Sequence, residues 1–135
     1  MGKVRAEYLA VKEEQAKRFN VYFKDETTEK CYGIPTGFFT IGRRDDKDVD
    51  IAIETEDTCI SRIHADVKMV VNMIGEFSLF IRDTTTRLNP TEVNERPIGP
   101  HFFYQLYDGD VVQMGYTDFT VHLNPIVKKN TSKES

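Results

Sequence analysis

Tryptophan is missing from this 135-residue chain, and cysteine nearly so, with only Cys31 and Cys59. The two sit in different apolar segments and show no pattern of a disulfide framework. One domain of this length builds a core without a staple, so the pair reads as free thiols in a reducing intracellular compartment. Long apolar runs are absent too. None approaches the roughly 18 residues of a membrane span, so no membrane partner is expected. The opening residues, from Met1 to Glu7, lack the apolar stretch of a signal peptide, and Asn130-Thr131-Ser132 is then an ordinary surface triplet despite matching a glycosylation pattern. Nor is there a basic surplus. Eighteen Lys and Arg against 22 Asp and Glu give a net charge of −4, which argues against direct nucleic-acid binding driven by phosphate neutralisation. An anion site here must be local, and Arg43-Arg44, Arg62 and Arg87 offer such clusters. No Gly-x-Ser-x-Gly elbow and no phosphate-binding P-loop occurs. Cys59, His101 and His122 show no ligand spacing, so neither metal nor cofactor is expected.

What the chain does have is aromatic and β-branched material. Nine Phe and six Tyr suit a packed β core. From Phe19 onward the apolar period is two. Phe19, Val21 and Phe23 alternate with Asn20, Tyr22 and Lys24, and Phe39 and Ile41 with Phe38, Thr40 and Gly42. Val49, Ile51 and Ile53 follow the same rule. So do Ala65, Val67, Met69 and Val71, whose outward partners are His64, Asp66, Lys68 and Val70. Phe77, Leu79 and Ile81, then Phe119, Val121 and Leu123, complete the set. Such runs predict antiparallel strands with one buried face. Turn chemistry separates them at Pro35-Thr36-Gly37, Asp45 to Asp48, Met73-Ile74-Gly75, Asn89-Pro90, Gly99-Pro100 and Asp108-Gly109-Asp110. Many short strands with frequent turns predict an all-β sandwich or barrel. Residues 1–18 form a lead-in, read as strand or irregular, residues 19–124 the domain, and residues 125–135 a polar tail or linker.

Three loop features fall in order along this pattern. An apolar strand ends in Thr40-Ile41-Gly42-Arg43. Ile60-Ser61-Arg62-Ile63-His64-Ala65 follows. Then come Asp83, Asn89-Pro90-Thr91-Glu92-Val93-Asn94, and Asp108-Gly109-Asp110 before a run ending in Gly115. In this ordered set, over roughly residues 19–124, the chain resembles the forkhead-associated (FHA) family. Its pattern is Gly-Arg, Ser-x-x-His about twenty residues on, Asn-Gly-Thr-x-x-Asn, and Gly-Asp before a strand ending in Gly.

The resemblance implies an antiparallel β-sandwich of about eleven strands, with loops at one end that bind a phosphothreonine peptide. A phosphate dianion presents three acceptor oxygens, so it calls for a guanidinium, a hydroxyl and amide donors converging from several loops. The resemblance assigns peptide contacts to Arg43, Ser61, Arg62 and Asn89. Gly42, His64, Thr91 and Asn94 it assigns to support. Taken singly, Arg43 and Arg62 also suit a solvated surface, and Ser61 and Asn89 suit ordinary turns. The chain departs from the family at Asn89-Pro90-Thr91, where proline replaces glycine, fixes its own φ and restricts Asn89 to extended conformations. Leu88 replaces a usually small or polar residue, and the approach from Asp83 is one residue longer. Thr86 or Arg87 then takes over peptide contacts.

Three functions follow for comparison. The first is a phosphothreonine-binding module of a larger signalling or DNA-damage scaffold such as nibrin, placed in the nucleus by resemblance. The second is the same fold used for homodimerisation or phosphate-independent docking, through Phe38, Phe80, Phe102, Phe103 and Tyr104. The third, a Ser61-His64-Asp83 hydrolase, fails on a strand reading, because a three-residue step points Ser61 and His64 to opposite faces. The protein is therefore expected not to be an enzyme.

Overall fold

Val21 and Phe23 are fully buried in the core, and Tyr22 between them, buried too, stacks on the His122 ring at 4.5 Å, its partner across the strand pair. The computed structural model describes residues 20–43, 49–84 and 90–123. The expected lead-in at 1–18 and tail at 125–135 lie outside the described residues. So does the Asp45–Asp48 turn.

Eleven strands follow one another in the described residues: β1 (Val21–Asp25), β2 (Cys31–Gly33), β3 (Gly37–Arg43), β4 (Ile51–Ile53), β5 (Ala65–Val71), β6 (Phe77–Asp83), β7 (Glu92–Val93), β8 (Arg96–Pro97), β9 (Tyr104–Leu106), β10 (Val111–Met114) and β11 (Thr117–Leu123). They form two sheets. One has the order β2-β1-β11-β10-β7-β8, the other β4-β3-β5-β6-β9. The inward residues of both meet in one apolar core that includes Phe23, Tyr32, Ile41, Ile51, Val67, Leu79, Ile81, Val112, Met114 and Phe119. Fully burying an aliphatic or aromatic side chain contributes about 1.5–3 kcal/mol, so this shared core, not any surface bond, holds the sandwich together.

The all-β sandwich read from the sequence is the fold observed. One pairing differs from that reading: β3 and β4 run parallel, with Ile41 opposite Ile51 and Arg43 opposite Ile53. A reciprocal pair of bonds ties the two segments together. The Asp50 carboxylate accepts from the Thr40 N–H at 2.9 Å, while the Asp50 N–H donates to the Thr40 hydroxyl oxygen at 3.0 Å. Several residues also depart from the expected faces, among them Tyr22, Gly42 and Ala52, which are buried although they alternate with the inward set. Val71, predicted inward, is exposed near the tip of the β5–β6 hairpin, beside the turn in which the Asn72 side chain accepts from the Ile74 and Glu76 N–H groups. His64, predicted outward, is wholly buried.

The end that matters for function is where β3 finishes at Arg43, β5 begins at Ala65 and β6 finishes at Asp83. The pairings of Ile41 with Ala65 and of Ala65 with Asp83 put those three strand ends side by side.

Candidate functional site

Gly42 lets two chain segments touch. A Cβ built there would lie 2.1 Å from the Arg62 carbonyl oxygen and 2.7 Å from that of Ser61, so only glycine admits the 61–64 loop so close to the end of β3. Backbone bonds close the contact. The Arg43 N–H donates to the Ser61 carbonyl and the His64 N–H to the Ile41 carbonyl, both at 2.9 Å.

Side chains then fix the peptide unit between Ile60 and Ser61 from both sides. Its carbonyl accepts from Arg43 Nε at 2.8 Å. Its N–H donates to His64 Nδ1 at 3.0 Å. That bond makes Nδ1 an acceptor, so the neutral imidazole carries its proton on Nε2. Arg43 is thereby held to the loop through Nε. Arg43 and Ser61 are half-buried and Arg62 is exposed.

A carboxylate makes bonds on either flank of this loop. Buried Asp83 accepts from the Thr91 hydroxyl at 3.0 Å and the Thr91 N–H at 3.2 Å. Beside it, the Thr84 hydroxyl donates to the carbonyls of Ile63 and His64. On the other flank, Asp57 accepts from the Cys59 N–H at 2.9 Å, the Tyr116 N–H at 2.7 Å and the Thr117 hydroxyl at 2.6 Å. Burial alone would raise the Asp57 pKa. The bonds from Thr117, Tyr116 and Cys59 outweigh it and hold the carboxyl below its ordinary value.

The sequence pattern of the FHA domain matches residues 39–115, from β3 through the end of β10. The chain belongs to the FHA family.

Solved FHA structures agree in fold. The FhaA FHA domain complexed with the intracellular domain of Rv3910 is 25% identical with a TM-score of 0.60, over 76% of this chain and 99% of that one. A structure from work on phosphothreonine-dependent FHA domain interactions is 25% identical at a TM-score of 0.62, over 78% and 98%. The MEK1 FHA domain in complex with a HOP1 phosphothreonine peptide has a TM-score of 0.63 over 78% and 98%, and at 18% identity the likeness is one of fold alone. Among curated proteins, none matches this FHA chain significantly.

Of the residues singled out in the sequence, the FHA fold brings Gly42, Arg43, Ser61, Arg62 and His64 into one loop cluster, and Thr91 joins it through Asp83. Asn94 stands elsewhere. It turns the chain between β7 and β8 with φ +51°, and its side chain accepts from the Val111 N–H and donates to Asp110. This places it at the start of β10, whereas Asp57 grips the turn after β10. Thr86, Arg87, Leu88 and Asn89 lie outside the described residues. The strand geometry used to separate Ser61 from His64 is corrected by the structure. Both lie in the loop before β5, and Ser61 bonds His64 through its backbone N–H. That bond leaves no Ser hydroxyl-to-imidazole step of a catalytic triad in this contact. Asp57 was not legible as part of the site. Its one signal is an Asp two residues ahead of Cys59, the spacing of an Asx turn.

Proposed function

We propose that this FHA domain reads phosphothreonine in a protein partner. The observation that carries the reading is the doubly held Ile60–Ser61 peptide, which ties the Arg43 guanidinium to the segment bearing Ser61. A guanidinium and a hydroxyl on neighbouring loops of a rigid sheet suit a phosphate dianion. The structural relatives described with phosphothreonine-dependent partners support it. Arg43 supplies charge and terminal N–H donors, Ser61 a hydroxyl, and Arg62 a flanking contact. Thr86, Arg87 and Asn89 contribute from the segment between β6 and β7, with Pro90 shaping their approach. Preference for threonine over serine requires a niche for the γ-methyl, a difference of about 1–3 kcal/mol. By family resemblance the domain serves a signalling or DNA-damage scaffold in the nucleus. The binding reading is tested on a peptide array presenting phosphothreonine, phosphoserine or threonine at one fixed position. Phosphothreonine spots should dominate, and signal independent of phosphate would end the proposal.

A second reading, self-association or phosphate-independent docking, rests on a different face. On the outer side of the five-stranded sheet Phe38 is 63% exposed, and Phe102 near its edge is 79% exposed. Contiguous apolar surface of this kind marks contact sites. The same face carries the Lys68 ammonium 5.7, 5.0 and 4.6 Å from the Phe38, Phe80 and Phe103 ring centres. A two-fold dimer centred there would oppose two Lys68 charges, which disfavours it. Sedimentation decides between the two readings. A dimer that Phe38→Ser dissolves would support self-association, and a monomer at the highest soluble concentration rejects it.

A further inference from the structure

The turn joining β10 to β11 has no residue among those assigned to the peptide, yet it is bonded to the Ser61 loop at several points. Gly115 has φ +63°, and a Cβ there would lie 2.8 Å from Asp57 Oδ2, 2.9 Å from the Cys59 carbonyl carbon and 2.9 Å from Ile60 Cγ1. The turn is therefore pressed against the start of the loop. Asp57 makes the joint. One carboxylate oxygen takes the Tyr116 N–H and the Thr117 hydroxyl, and the other takes the Cys59 N–H. The main-chain carbonyl of Asp57 accepts from the Ile60 N–H as well, at 3.2 Å.

These bonds define the conformation of 57–60 and hence the direction of the Ile60 carbonyl. That carbonyl is the acceptor for Arg43 Nε. We propose that Asp57 is a positioning residue for phosphopeptide binding: it anchors the loop to the β10–β11 turn and so sets the orientation of the Arg43 guanidinium through the Ile60 carbonyl. The inference rests on the phosphothreonine-binding reading for its consequence, but the Asp57-to-Arg43 link is a property of the free protein.

The path has a physical logic. A guanidinium at the end of a flexible side chain loses rotamer freedom when it binds a ligand, and holding Nε beforehand reduces that loss. The holding carbonyl must itself be rigid. Asp57 supplies this rigidity from the sheet opposite β3, since β10 and β11 belong to the six-stranded layer. The Arg43 site is thus braced from both layers of the sandwich, by His64 from the β5 side and by Asp57 from the β10–β11 side.

Two readouts test the proposal. In the ligand-free protein the Arg43 Nε–H resonance should exchange slowly with water. In Asp57→Ala it should exchange at least several-fold faster, while the methyl resonances of the core stay in place. Should Asp57→Ala fail to fold, Thr117→Val removes a single bond and should show a smaller acceleration. In binding, Asp57→Ala should weaken a phosphothreonine peptide about tenfold, the range of one or two lost bonds. In an Arg43→Lys background, which has no Nε–H, the same substitution should have less than about a twofold effect. Unchanged protection of the Arg43 Nε–H in Asp57→Ala, or an equal loss of affinity in both backgrounds, would overturn the positioning role. If the wild-type protein binds no phosphothreonine peptide, the functional reading fails, and the Arg43 resonance alone then decides whether the link exists.

Discussion

His64 and Arg43 hold opposite sides of one peptide unit, the first accepting its N–H at 3.0 Å and the second donating to its carbonyl at 2.8 Å. Neither side chain needs a ligand to adopt this arrangement. The residue between them, Ser61, is consequently fixed in the backbone before any partner arrives, which is the condition for recognising an anion without first ordering a loop.

Removing the acceptor should therefore cost stability as well as binding. His64→Phe fills a comparable space in a fully buried position but leaves the Ser61 N–H without its imidazole partner. Urea unfolding should show a loss of about 1–3 kcal/mol, with weaker phosphopeptide binding. A variant as stable as the wild type would mean that the N–H finds another acceptor.

Gly42→Ala should be worse tolerated than its size suggests. The new methyl meets backbone carbonyls rather than a yielding side chain, with the nearest oxygen at 2.1 Å. Either β3 or the 61–64 loop must move. An unfolding loss of about 3 kcal/mol is expected, measured by thermal or denaturant melts, together with displaced Arg43 and Ser61 amide resonances. An undisturbed amide spectrum would contradict the close approach.

Asp57 should leave a signature in acid. Burial opposes ionisation, but the bonds from Thr117, Tyr116 and Cys59 prevail and its pKa in the folded protein is lowered. A carboxylate with a lowered folded value contributes stability that is present above the unfolded value and lost as pH falls through the folded one. The wild type should accordingly exceed Asp57→Asn in stability at neutral pH. That gap should narrow as the solution is acidified through the ordinary carboxylate range and below. A gap independent of pH would place the effect of the substitution elsewhere.

The aromatic face of the five-stranded sheet makes a separate prediction. Phe103 covers both Lys68 and the Arg82 guanidinium, whose carbon is 4.3 Å from the ring centre and which also pairs with Asp66 at 2.9 Å. A double-mutant cycle of Phe103→Ala with Lys68→Met should return a coupling of about 0.5–1 kcal/mol. Zero coupling would mean that the ring merely covers the sheet.

The longer strands were legible because five to seven residues suffice to show a period of two. Val21 and Phe23, Leu79 and Ile81, and Phe119 and Val121 stand two apart in their strands and all lie in the core. Two- and three-residue strands such as β7, β8 and β9 cannot display a period, and β2 hides one because all of Cys31, Tyr32 and Gly33 are buried. The parallel pairing of β3 with β4 was illegible for another reason: alternation reports which face is buried, never the direction of the neighbour. His64 was misread because it stands in phase with Asp66 and Lys68 although the strand starts one residue later. At the site, the order of Gly42-Arg43 and Ser61-x-x-His64 was visible in the sequence. Their mutual bonds were not, since they run through the Ile60 carbonyl and the Ser61 N–H, groups that every residue type shares. Asp57 escaped for the same reason, its partners being the backbone of Cys59 and Tyr116 and the hydroxyl of Thr117, 60 residues away.

In the proposed complex Arg43 and Ser61 meet one phosphate. Calorimetric titration of the tightest array peptide into wild-type protein and into Arg43→Ala tests it most directly. Saturable binding to the phosphothreonine form is expected, with no measurable binding to the unphosphorylated form and at least a tenfold loss in Arg43→Ala, about 1.4 kcal/mol or more. Equal affinity for both peptide forms, or an Arg43→Ala variant that binds as well as the wild type, would contradict it.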